Sequence, residues 1–260
     1  MKQSYPLLAQ YMAECMASVG ALECDDAFAL QGCADLYRAA AWTGGRDCLL
    51  RIAREGVTQA GEIDGAPGLG SRALFFALEE TGEERFARAI EACVRESRTK
   101  GAEAQIEYLQ RTLPLCMEYE MKRGRMEHVS DVVDLYRKTR SALHEGEPRV
   151  RARHLASVAQ SMELVSEQLY EHYRALVDLF REGVKSLLPC CGGADELAFM
   201  AYALLKGIRM GVLDEERYLP SAKQMLGMLE KTIAGAGEDC MGAVMMAYAE
   251  GLRTAQHREG

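Results

Sequence analysis

Nine carboxylates sit immediately before or early in alternate expected helices: Asp25, Asp26, Asp64, Glu103, Glu107, Asp195, Glu196, Glu238 and Asp239. If those helices share an end, such groups meet in one cavity and could supply proton transfer. Each is also an ordinary N-cap or first-turn acid complementing the helix dipole, so both readings stand at this point. A basic cluster, Arg149, Arg151, Arg153 and His154, opens another of the same set of helices. There it could hold a substrate carboxylate by charge-assisted hydrogen bonds, or form a solvated turn after Pro148. Cys190-Cys191 and Cys240 also precede helices of this set. Thiols so placed open a third reading, a zinc-dependent enzyme, although catalytic zinc takes three protein ligands and His154 would have to come from elsewhere in the chain.

The elements that must position these groups follow from a repeat. Glu84-Arg85-Phe86, Glu127-His128-Val129, Glu171-His172-Tyr173 and Glu216-Arg217-Tyr218 each open an amphipathic helix, at separations of 43, 44 and 45 residues. A period of this length marks stacked helical hairpins, because one hairpin cannot bury its apolar face alone. A weaker copy lies at Asp47-Cys48-Leu49, and glycines at 44, 45, 82, 124 and 211 punctuate the hairpins as helix C-caps. Since arginine and histidine interchange at the repeat position, His128 and His172 read as surface residues.

Apolar periodicity predicts twelve helices, near 4–19, 26–42, 46–59, 70–81, 83–97, 104–122, 126–144, 150–166, 168–187, 195–210, 215–233 and 238–255. The even-numbered ones are apolar or small nearly all round, as in LAFMAYALL from Leu197 and MGAVMMAYA from Met241. The odd-numbered ones carry charge on one face, as with Arg85, Arg88, Glu91 and Arg95. A helix apolar all round must be enclosed, and one with a single stripe covers it. Six inner and six outer helices predict an all-α (α/α)6 toroid forming a single domain over 1–260. An open helical solenoid of similar period is the alternative, disfavoured by the lack of a polar concave stripe and of capping repeats.

The formal net charge of −8 argues against a phosphate-tracking surface, so no nucleic-acid partner is expected. Nine cysteines, an odd number scattered without zinc-finger spacing, read as reduced thiols. With no apolar run long enough to span a bilayer and no apolar signal core, the expectation is a cytoplasmic protein without a membrane partner. No cofactor or metal is expected, and oligomeric state is not legible.

The segment Ala201 to Pro220 (AYALLKGIRMGVLDEERYLP) resembles the unsaturated glycuronyl hydrolases, glycoside hydrolase families 88 and 105, which include the unsaturated rhamnogalacturonyl hydrolases. Arg72 to Ala89, Ser97 to Gly101 and Gly242 to Glu250 line up in the same order. The resemblance implies the same toroid and a small oligosaccharide substrate ending in an unsaturated uronic acid. It further implies that an acid on an inner helix protonates the C4=C5 double bond while water adds at C5, and the next sugar is released.

By that resemblance the family's catalytic aspartate, seven residues before a proline on the third inner helix, corresponds to Glu107 before Pro114. Asp64, in the loop before the second inner helix, corresponds to the assisting acid. The family's WARGNGW loop reduces to Val150 to Ala156, where Arg153 is retained and the tryptophans are lost. Substrate-contacting candidates are Trp42, the sole tryptophan, together with Arg72, Arg153, His154, Asp195 and Asp239. The chain is shorter than the family pattern, so a degenerate ring that binds a carbohydrate or protein partner without catalysis is the alternative function.

Overall fold

The computed structural model describes residues 5–18, 26–65, 67–123, 125–233 and 240–259. Its helices are α1 (Pro6–Ser18), α2 (Ala27–Arg38), α3 (Gly44–Gly56), α4 (Ala73–Thr81), α5 (Glu84–Lys100), α6 (Ile106–Lys122) and α7 (Val129–Lys138). The chain continues through α8 (Ser141–His144), α9 (Pro148–Leu164), α10 (Tyr170–Leu187), α11 (Ala194–Arg209), α12 (Glu215–Thr232) and α13 (Met241–Glu259). Among the described residues the only β pairing is a bridge between Val57 and Ile63.

The helices form a closed (α/α)6 toroid. The inner ring runs α2, α4, α6, α9, α11 and α13, and α13 packs back on α2. The outer helices α3, α5, α10 and α12 each lie against the inner helix before them in the chain, and α1 fills the last outer position by packing on α12 and α13. Closure excludes the open solenoid. It also explains the composition pattern: α11 is buried without a break from Leu197 to Ile208, whereas α5 buries only Phe86, Ala87, Ala89, Ile90, Cys93, Val94 and Ser97. The all-round apolar helix has neighbours on every side, and the amphipathic one has them on one.

Two glycines do specific work. Gly82 caps α4 at φ +68°, a left-handed conformation that a side chain disfavours. At Gly242 a Cβ would come to 2.5 Å from the Phe28 carbonyl carbon, so α13 and α2 close the ring with backbone nearly touching backbone. One expected helix is interrupted: the span 126–144 resolves into α7 and α8. Thr139 at the break turns its hydroxyl back onto the carbonyls of Leu135 and Tyr136, at 2.9 and 3.2 Å, in competition with the helical ladder. The second inner helix also begins later than expected, at Ala73, after a short 3-10 turn at Pro67–Leu69.

Candidate active site at the mouth of the ring

Because the inner helices run in parallel, their N-termini share one end of the ring. Asp195, in the first turn of α11, lies 2.9 Å from Arg149 Nε and 3.3 Å from Arg153 Nε, both from the start of α9. The Arg153 guanidinium also stands 5.7 Å from the Phe28 ring and 5.9 Å from the Phe199 ring. Those two rings meet edge to face at 4.8 Å and 72°, joining α2 to α11. Asp26 caps α2, its carboxylate accepting from the Phe28 amide at 2.9 Å.

Burial pushes the Asp26 carboxyl above its ordinary value, against the lowering pull of the Phe28 amide and of Arg153. Burial likewise pushes Asp195 up, opposed by Arg153 and Arg149. Its Oδ1 is buried and accepts no hydrogen bond. The cluster is therefore a charge-balanced knot of two arginines and two acids that ties three inner helices together.

The third inner helix joins the same end through Gln110, whose Nε2 donates to the Val150 carbonyl at 2.8 Å. Glu107, one turn earlier, is exposed and lines an open hollow of about 610 Å3 with Lys100, Glu103, Tyr108 and Arg111. Lys100, Tyr108 and Arg111 also line a second hollow of about 360 Å3, whose far wall is Ile63, Gly65 and Gly70. Asp64 lies between Ile63 and Gly65, exposed, with its amide donating to the Gly56 carbonyl at 2.9 Å. Glu107 thus lines the first hollow, while the second is lined by the residues on either side of Asp64 and not by Asp64 itself; the two hollows share three side chains.

The remaining candidates go elsewhere. Trp42 follows the C-terminal end of α2, at the opposite end of the ring from Glu107, with its indole against Gly44 and Gly45. Arg72 is buried and paired with Glu118 of α6 at 2.6 Å. Burial works against its charge, but Glu118 outweighs that and holds it protonated. His154 is wholly buried in the ring wall, tilted against Tyr136 at 5.6 Å, with Nε2 3.2 Å from the Thr139 hydroxyl. Burial lowers its pKa to about 4 and keeps the imidazole neutral. Asp239, together with Asp25 and Glu238, lies outside the described residues.

The thiols do not assemble a zinc site. Cys190 is exposed, Cys240 is buried and lies 3.3 Å from the Tyr11 hydroxyl, and burial pushes Cys191 up to about 12. Among the described residues no three His, Cys, Asp or Glu side chains are grouped as metal ligands.

Sequence reasoning passed over two features. One is the Lys100, Tyr108 and Arg111 group, of which only Lys100 falls within a stretch that carries the resemblance. The other is an ion network near the C-terminal ends of the inner helices, in which the buried Asp35, Lys206 and Glu250 join the partly exposed Glu163, Arg209 and Arg253. Its signal was present as charges inside otherwise apolar runs, Lys206 in α11 and Glu250 in α13.

No protein-family model matches the chain, and no curated protein matches it. Solved structures do. A polysaccharide lyase superposes with a TM-score of 0.68 at 14% identity, over 95% of this chain and 98% of that one. A glycosyl hydrolase family 88 protein from Bacteroides vulgatus gives 0.65 at 12%, covering 94% and 99%. A Klebsiella pneumoniae protein described as a possible member of family GH105 gives 0.65 at 14%, covering 88% and 81%. At these identities the likeness establishes the fold, which this chain shares with carbohydrate-active enzymes. Among the described residues no helix is long and apolar enough to cross a membrane.

Proposed function

We propose that the chain acts as one toroidal domain that hydrates the C4=C5 double bond of a terminal unsaturated uronic acid on a small oligosaccharide. The observation that carries this reading is the groove formed by the two hollows, which is bordered by Glu107 on one side and the Asp64 loop on the other. In the proposed step the Glu107 carboxylic acid gives its proton to C4 as a water oxygen bonds to C5. Asp64 takes the proton that this water loses. The resulting hemiketal opens and expels the next sugar as an alcohol. Resemblance of four sequence stretches to families 88 and 105, and the shared fold, support the reaction class. The reading includes a reducing, cytoplasmic setting.

Loss of the ultraviolet absorbance of the double bond, with unsaturated rhamnogalacturonan and glycosaminoglycan disaccharides, tests it. Wild-type protein should consume at least one disaccharide, and Glu107→Gln should slow that by roughly 10^2-fold or more. No absorbance loss with any of them refutes catalysis. Saturable binding without product then favours the non-catalytic ring, a reading that Tyr108 as the only aromatic lining the groove already supports.

A further inference from the structure

A third hollow, of about 550 Å3, adjoins the groove and shares Ile63, Cys93 and Glu96 with the second. On α5 the lining positions Ala89, Cys93, Glu96 and Lys100 recur at spacings of three and four, so one face of that helix runs along both hollows. From Ala89 to Lys100 the helix rises about 16 Å, and the first hollow continues the row from Lys100 to Glu107.

The loop that walls the third hollow is tied to α5. Arg88 donates from Nη2 to the Gln59 carbonyl at 2.7 Å and from Nε to the Ala60 carbonyl at 3.3 Å, and Arg85 Nη1 reaches the Val57 carbonyl at 3.1 Å. Gly61, at φ +90°, lies so close to the helix that a Cβ would come to 2.6 Å from the Arg88 Cβ. A wall fixed in this way needs no ordering when a ligand arrives, which lowers the cost of binding. Glu62 from the loop and Arg95 from α5 both line the hollow and are exposed, and among the described residues neither side chain makes an ion pair or a hydrogen bond.

We infer that the third hollow is a further subsite, which takes a neutral sugar unit of a chain longer than a disaccharide lying along α5. The inference rests on the proposed function for its ligand class but not on the reaction. Sugar hydroxyls both donate and accept, and an unengaged guanidinium and carboxylate offer them both roles. Glu62, Glu91 and Glu96 outnumber Arg88 and Arg95 in this hollow, so a second ligand carboxylate is disfavoured there. An extended peptide would need side-chain pockets or a strand edge, whereas Ile63 is the one large apolar side chain among the described residues that line the hollow.

The test is calorimetric titration of the full chain with saturated oligosaccharides of two, four and six units. One set alternates uronate with neutral sugar, from rhamnogalacturonan and from hyaluronan, and the other is galacturonate alone. None has a C4=C5 bond, so binding is read independently of turnover. Affinity should rise roughly tenfold or more from two to six units in at least one alternating series, and not in the galacturonate series. Ala92→Trp, which fills the third hollow from a half-exposed helix position, should erase that gain and leave the disaccharide affinity unchanged. Arg95→Gln should weaken only the longer chains. Equal affinity at all lengths, no binding at any length, an equal gain with galacturonate, or a gain that survives Ala92→Trp overturns the subsite. Length-dependent binding without absorbance loss leaves the subsite standing and removes the hydrolase. Absorbance loss with length-independent binding does the reverse.

Discussion

Replacing Glu250 with glutamine tests the claim that the interior of the ring is held by balanced charge. Glu250 is fully buried in α13 and touches three cations: Arg209, whose Nε donates to Oε1, Arg253 at 3.4 Å and Lys206 at 3.8 Å. Lys206, itself 1% exposed, reaches Glu163 at 2.5 Å, and Arg253 reaches Asp35 at 3.3 Å. Burial works against the Lys206 charge, yet the surrounding Tyr202, Glu163 and Glu250 raise its pKa. Three cations therefore face three acids, and glutamine removes one negative charge while keeping the shape. One positive charge is left uncompensated beside the buried Lys206, and because Arg209 and Arg253 keep 21% and 18% of their side chains in water, the cost falls toward the lower end of the about 3–5 kcal/mol of a fully buried pair.

That is a large share of the roughly 5–15 kcal/mol that stabilises a typical domain. Urea unfolding at pH 7, followed by far-ultraviolet circular dichroism, should show a lower midpoint with an unchanged slope. The double variant Glu250→Gln/Lys206→Met restores neutrality and should be less destabilised than the sum of the single variants. A Glu250→Gln protein within about 0.5 kcal/mol of wild type, against the size expected for a buried pair, would refute the argument.

Two further outcomes are expected. His154 has a folded pKa of about 4 against an ordinary 6.5, so its contribution to stability is complete above pH 6.5 and is lost as pH falls toward 4. The change should be about 3 kcal/mol, read as the difference in urea midpoint that disappears in His154→Gln. Gly242→Ala should destabilise by about 1–3 kcal/mol in the same denaturation, because the added methyl meets the α2 backbone and must force open the seam that closes the ring. A Gly242→Ala protein of wild-type stability would mean that α13 and α2 are not so closely packed.

The fold class was legible in the sequence because it depends on local pattern. The 43 to 45 residue repeat dictates hairpins, and helices apolar on every side, such as that from Leu197 to Leu205, can be satisfied only by enclosure. Their shared N-terminal end follows from the alternation itself, which is how Arg153 and Asp195 could be singled out before they were seen to meet. The position of Trp42 could have been read the same way, since it follows the end of an inner helix. Only closure of the ring decided the rest. Arg72 finds Glu118, and Arg209 finds Glu163 and Glu250, at separations of 46, 46 and 41 residues, about one repeat along the chain. Periodicity says which face a side chain takes, but not which charge on the next helix stands at the same depth. For the same reason His154 could be assigned to a helix but not to the wall of the ring. The Tyr108 hydroxyl is a polar atom on an ordinary helix until the folded chain buries it without a hydrogen bond.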